Sequence, residues 1–215
     1  MSLPDLLPVF PLPNIVFYPG SVLPLHVFEP RYRALVQHCL AHELPIGVPR
    51  IRAAHEEQHL GEPPLHEVCG VGRIERHLEL PDGRFNLVLR AFTRVRLEEE
   101  AALDAGGFRL FRVSEQPDLE IAPAVQARHM GAIAALARGL ATTVPALGHL
   151  LDELMKREMP PGQIADQIVD FTTLSVDEKQ AFLELRDPAQ RLEKAEALLA
   201  DLLATSVHDH GHHGH

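Results

Sequence analysis

LPVFPLPNIVFYPGSVLPLHVFEPRYRALVQHCL, residues 7 to 40, is the stretch around which the rest of the chain is organised. It opens on a strand-like apolar run (Leu7, Val9, Phe10) and is punctuated by Pro11, Pro13 and Asn14. It then runs through Ile15 to a turn at Gly20, before a second apolar run from Val22 to Val27. Pro30 suits the first turn of a helix, since it has no N–H to leave unbonded and its φ is already helical. Tyr32, Leu35, Val36, Cys39 and Leu40 follow at i, i+3, i+4, i+7 and i+8, which is one buried helical face. Two strands and a packed helix are expected, with Cys39 as a small core residue.

Working outward, Pro45 to Ile51 reads as a short strand and residues 52–66 as a polar surface loop with Gly61 and Pro63-Pro64. His55 and His59 in that loop stand at i, i+4, and His66 follows. A helix would let the first two chelate a metal, but the segment is polar and flanked by Gly61 and Pro63-Pro64, so a solvated loop is expected. Val68 to Leu80 reads as one long strand interrupted by Gly70 and Gly72, the mark of a bulge or tight bend. Pro81-Asp82-Gly83 is a turn, because Pro presets φ and Gly supplies a positive one. Asn86–Arg90 and Thr93–Glu98 alternate apolar and polar residues, and Gly106-Gly107 opens a last strand through Val113. Five or six strands with one helix inserted early predict a closed or nearly closed antiparallel barrel, since closure removes exposed edges.

Composition changes at Gln116-Pro117-Asp118, beyond which the pattern is helical. Ala122–Ala141, a second helix from Pro145 through Leu154, and Gly162–Phe171 carry apolar residues at helical spacing. Ser175-x-x-Glu178 has the spacing of a capping box, and Pro188 restarts the chain into Leu192, Ala195, Leu198, Leu199 and Leu202. The expected fold class is α+β, with a barrel over residues 1–117, a helical bundle over 118–205, and a disordered His-rich tail over 206–215.

Three segments carry a family resemblance. LPVFPLPN, YPG and LPLHVFEPRYRALV resemble the opening of the Lon-protease N-terminal domain. Val68-Cys69-Gly70, Ile74, Pro81-Asp82-Gly83, Leu87-Val88-Leu89, Ala91 and Arg94 resemble its central strand pair, although glycine would be expected at Ala91 and one place before Gly70. PGQIADQIVDF, then LSVDEKQAFLELRDPAQRLEKAEALL, resembles its helical part through Gly162, Ala165, Asp166, Glu178, Lys179, Gln180, Leu183, Glu184, Arg191, Leu192 and Glu193. The resemblance implies a PUA-like pseudo-barrel followed by a bundle, and a substrate-binding, proteolysis-related role without ATPase or protease parts.

The chain has 215 residues and a formal net charge of −10. Through Pro117 there are 12 Arg and Lys against 15 Asp and Glu, and beyond it 8 against 15, so neither part offers the positive field of non-specific nucleic-acid binding. The two cysteines have no CxxC spacing and suggest neither a disulfide framework nor a thiolate metal site. Asp5 and the lack of a basic region ahead of the first apolar residues argue against a signal peptide. No apolar run approaches the ~18 residues of a membrane span. A cytoplasmic location without membrane partners is expected.

No GxxxxGK[ST] loop is present, and none of Ser2, Ser21, Ser114, Ser175 or Ser206 sits in a GxSxG elbow. The runs Glu56-Glu57 and Glu98-Glu99-Glu100 read as solvated faces, so no enzyme activity and no required cofactor are expected. In the tail, His208, His210, His212, His213 and His215 could bind Ni(II), Zn(II) or Cu(II) opportunistically, since imidazole suits all three.

The resemblance implies contact with unfolded or degron-bearing polypeptides, and transfer of them to a protease or chaperone. Such binding requires an exposed apolar surface. Leu12, Phe17, Tyr18 and Phe28 are the candidate contacts, because turn residues are often exposed. Each also reads as plain core packing, Phe28 most of all. One alternative is RNA binding through Arg73, Arg76, Arg84, Arg90, Arg94 and Arg96, as in other PUA-like barrels. Net charge and the lack of an RNP-like aromatic motif oppose it. A second is a small-molecule site in a cleft between barrel and bundle.

Overall fold

The structure, a computed structural model, describes residues 3–52 and 62–211, the last five as backbone alone. The chain divides into two compact units, Met1–Pro117 with Ser175–Glu184, and Asp118–Leu174 with Leu185–His215.

Six strands build the first unit: β1 (Leu7–Val9), β2 (Val22–Val27), β3 (Ile46–Val48), β4 (Val68–Glu79), β5 (Phe85–Glu100) and β6 (Arg109–Glu115). Their order is β2-β5-β4-β3-β1-β6, and a further β5–β6 pairing closes the ring. Closure is possible because β5 is long. Its first half, Phe85 to Arg90, pairs with β2, and its second half, Val95 to Glu100, pairs with β6. The two short strands expected at Asn86–Arg90 and Thr93–Glu98 are therefore one 16-residue strand. The barrel is also not wholly antiparallel, since β1 and β3 run parallel. Parallel neighbours need a long connection, and β2 with the helix α1 (Pro30–His42) supplies it. Residues 15–18 form no strand.

Helix α1 starts at Pro30, with Pro in the first turn, and buries Tyr32, Leu35, Val36 and Cys39. These pack with Phe10, Phe17, Leu23, Val27, Phe85, Leu87 and Leu89. A second cluster of Leu7, Val9, Ile51, Cys69, Val71, Val95, Leu97 and Phe111 fills the remainder of the barrel. Gly70 and Gly72 mark the place where Phe17 crosses β4. A Cβ on Gly70 would collide with the Phe17 carbonyl oxygen, and one on Gly72 would stand 2.6 Å from the Phe17 ring. The register between β4 and β5 slips between Val71 and Gly72, at the glycines that suggested a bulge, and again between Ile74 and Arg76, which they did not indicate.

The short helix α5 (Val176–Leu183) belongs to the barrel unit, which corrects the expectation of one continuous bundle over 118–205. Ser175 and Glu178 form the reciprocal capping box that their spacing predicted. Four polar contacts fasten the helix. Tyr18 donates its hydroxyl hydrogen to the Lys179 carbonyl at 2.6 Å, Gln180 Nε2 to the Val68 carbonyl at 3.0 Å, Arg94 Nη1 to the Leu183 carbonyl at 2.8 Å, and Arg50 Nη1 to Asp177 at 2.5 Å.

The second unit holds α2 (Pro123–Thr143), α3 (Pro145–Met155), α4 (Pro161–Asp170) and α6 (Pro188–Gly211), each beginning at a proline, where the missing N–H would be unpaired anyway. His129, Ile133, Ala137 and Leu140 form the buried stripe of α2. Arg191, completely buried, is the polar centre of this unit. Its Nη1 donates to both carboxylate oxygens of Asp166, at 2.7 and 2.8 Å, and to the Gly162 carbonyl at 3.2 Å, while Nη2 pairs with Asp118.

Candidate functional site

Strand alternation decides which side chains of the barrel face outward. Leu23 and Val27 of β2, and Phe85, Leu87 and Leu89 of β5, are buried. The residues between them share the outer face. Pairing sets those residues in rows across three strands: Val22, Arg90 and Arg73; then Pro24, Val88 and Arg76; then His26, Asn86 and Leu78. Phe28 follows directly after β2.

This face carries apolar side chains that a solvated sheet normally lacks. Phe28 is 60% exposed, Leu78 59% and Val22 46%. Between the last two rows lies an open groove of about 600 Å³, lined by Pro24, Leu25, His26, Arg76, His77, Leu78, Asn86, Leu87 and Val88.

The polar groups at its end are held in place. His26 Nδ1 lies 2.6 Å from Asn86 Oδ1, and Arg84 Nη1 lies 3.3 Å from His26 Nε2. A guanidinium can only donate, so Nε2 accepts and Nδ1 carries the proton given to Asn86. Arg84 is itself held by Asp82, with Nε 2.6 Å from Oδ2. The His26 ring stacks beside Phe28, with centroids 6.3 Å apart.

β2 ends the strand order, so among the described residues one of its sides carries no strand partner. The Ala91 N–H donates to the Ser21 carbonyl. Antiparallel alternation then turns the backbones of Leu23, Leu25 and Val27 toward β5, and those of Val22, Pro24 and His26 toward solvent. Pro24 thus removes a donor from the middle of the open edge, which blunts strand addition. Contact through the outer side chains remains.

The candidates chosen from the sequence fare differently. Phe17 and Tyr18 are core residues, 1% and 0% exposed, because the two glycines of β4 admit the Phe17 ring and α5 covers Tyr18. Leu12 is half-buried against the α1 cluster. Phe28 alone of the four is exposed, contrary to its reading as core. Pro24, His26, Leu78, Asn86 and Val88 were missed, although the alternation of Leu23, Leu25 and Val27 with Pro24 and His26 was legible. The six arginines do not form a free stripe. Arg94 is buried on α5, Arg90 pairs with Glu75, Arg84 with Asp82 and Arg96 with Glu67.

Burial pushes the thiols of Cys39 and Cys69 up to about 12, so neither is an available nucleophile. A smaller polar pocket of about 250 Å³ is lined by Arg52, His66, Glu67, Val68, Arg96 and Glu184. Burial, helped by the nearby Arg50 charge, lowers the His66 pKa from its ordinary value. Among the described residues no group of three or more His, Cys, Asp or Glu could hold a metal, and no helix is long and apolar enough to cross a membrane. His55 and His59 lie outside the described residues, as do His212, His213 and His215 and the side chains of His208 and His210.

Lon protease 2 of Myxococcus xanthus is 31% identical over 199 residues, which cover 92% of this chain and 24% of that protein. The Lon protease of Anaeromyxobacter dehalogenans is 29% identical over 199 residues, covering 92% and 23%. The chain thus spans about a quarter of the length of these curated relatives. Among solved structures, the Lon N-terminal domain protein from Xanthomonas campestris matches with a TM-score of 0.62 at 26% identity, covering 89% of this chain and 97% of that one. The N-terminal domain of Mycobacterium avium complex Lon protease matches with a TM-score of 0.70 at 19% identity, covering 91% and 98%, a likeness of fold. Residues 6–201 match the family described as the ATP-dependent protease La (LON) substrate-binding domain, and the chain belongs to that family.

Proposed function

We propose that this chain is a non-catalytic polypeptide-recognition module, which engages exposed apolar side chains of unfolded or degron-bearing polypeptides on the outer face of β2, β5 and β4. The observation that carries this reading is exposed Leu78 on an open groove, with Val22 and Phe28 exposed at the start of β2 and just past its end, while Leu23, Val27, Phe85, Leu87 and Leu89 on the opposite face of β2 and β5 are buried. Leaving such side chains in water forgoes about 25 cal/mol for each Å² that a partner would cover. The family description and the names of the relatives, all Lon proteases, support the same assignment. On this reading the module needs no cofactor, works in the cytoplasm, and passes its clients to a protease or chaperone.

The test is equilibrium binding of a permanently unfolded, carboxymethylated model protein, compared with its native form. The wild-type chain is expected to bind the unfolded form alone, and a Phe28→Ser, Leu78→Ser double variant to lose most of that binding. Both side chains are exposed, so the variant should keep its fold, checked by circular dichroism. Equal binding by wild type and variant would remove the face from consideration, and no binding by either would refute the function.

A further inference from the structure

We propose that the groove face selects its polypeptides by charge as well as by apolarity, taking extended internal segments in which an aromatic or aliphatic side chain lies within two to four residues of an Asp or Glu side chain. The inference rests on the polypeptide-binding function proposed above and adds the chemistry of the client. The chain as a whole is acidic, with a net charge of −10. Its groove face is the reverse. Arg73, Arg76, Arg84 and Arg90 surround the face, with only Glu75 and Asp82 paired to two of them. Arg73 lies over the Phe92 ring, 5.2 Å from its centroid, and has no carboxylate partner among the described residues. Arg76 is exposed, lines the groove, and likewise has no partner among the described residues.

The order of the rows sets the spacing. Leu78 stands in the row of His26 and Asn86, Arg76 one row along beside Pro24 and Val88, and Arg73 in the row after that. Successive rows on one face of a sheet are two residues apart, roughly 6.7 Å. A segment laid along the strands repeats that interval on the side it presents. An apolar residue seated against Leu78 therefore brings the residue two positions on to Arg76, and the one four positions on toward Arg73. A carboxylate at either position meets an uncompensated guanidinium, whereas a Lys or Arg there meets like charge.

The inference is tested by calorimetric titration of the full chain with three short unstructured peptides. All three share the same Phe and Leu positions and differ only in whether Glu, Ser or Lys stands two and four residues away. The Glu peptide is expected to bind on the order of fivefold more tightly than the Ser peptide, and the Lys peptide more weakly than either. The spread should shrink at high salt and in an Arg73→Ser, Arg76→Ser variant. The Phe28→Ser, Leu78→Ser variant should weaken all three peptides together. Equal affinity for the three peptides, lost in the apolar variant, would overturn the charge selection and leave the binding function standing. A preference for Glu that survives loss of both arginines would overturn it as well. Absence of binding by any peptide would overturn the binding function itself. Tighter binding of a single-stranded RNA oligonucleotide than of the Glu peptide would make the arginines a phosphate surface and refute the inference.

Discussion

Removing the Asp166 carboxylate should unfold the helical unit far more readily than its single-residue size suggests. Arg191 is completely buried and Asp166 is 1% exposed, and Arg191 Nη1 donates to both carboxylate oxygens, at 2.7 and 2.8 Å. In Asp166→Ala the guanidinium stays buried with half its compensation gone. Asp118 still pairs with Nη2 but is about a third exposed, so it shares its charge with solvent. Breaking one partner of a buried pair costs about 3–5 kcal/mol, and the remaining aspartate places the expectation near the lower figure. Replacing both partners by apolar residues of similar size, as in Asp166→Leu with Arg191→Met, should recover most of that loss, because no uncompensated charge remains. Because the chain divides into two compact units, the measurement must follow the helical unit by itself. Amide hydrogen exchange of peptides from α4 and α6 in a urea series reports on this unit alone. A loss below about 1 kcal/mol in Asp166→Ala would refute the reasoning, as would a double variant no more stable than the single one. Gly162→Ala should destabilise comparably, since a Cβ there would collide with the Arg191 guanidinium and the Asp118 carboxylate.

Both cysteines, with pKa values pushed up to about 12 by burial, should resist thiol reagents at pH 8 and react together once the chain is unfolded in denaturant; rapid labelling of the folded chain would contradict their placement. His66 has a folded pKa below its ordinary value of 6.5, so the unfolded state takes up its proton first on acidification. Its contribution to stability is present above about pH 6.5 and is lost as pH falls through the folded pKa. Melting temperatures between pH 8 and 5 should therefore fall more steeply for the wild type than for His66→Gln. Chelation with EDTA should leave peptide binding by the groove unchanged. Ni(II) titration should show binding that disappears when residues 206–215 are deleted, and peptide binding that depends on Ni(II) would refute the expectation of a cofactor-free module.

The Lon-type motif residues were legible in the sequence, and the structure shows why they take the form they do. Gly162 leaves room for Arg191, Asp166 neutralises it, Glu178 closes the capping box, and Gln180 ties α5 to the Val68 carbonyl. These positions hold the fold together, and so the resemblance located the family without pointing to the face proposed here to bind polypeptide. Periodicity and turn chemistry likewise placed α1, the Pro81-Asp82-Gly83 turn and the helices that begin at prolines, because these depend on residues within a few positions of one another.

Exposure depended on contacts across the chain. Phe17 and Tyr18 sit beside a Pro-Gly turn and read as surface, yet they are buried by Gly70, Gly72 and α5, between about 50 and 160 residues further on. Phe28 reads as the end of an apolar run, but it lies just past the point where β2 leaves the packed sheet. Leu78 belongs to an alternating strand whose register slips twice, and a slip of one residue exchanges inner and outer faces. The sequence by itself determined the helices, most of the strands, the Ser175 capping box and the family. Only the tertiary structure decided which apolar residues meet water, because burial is set by what packs against a residue from elsewhere in the chain.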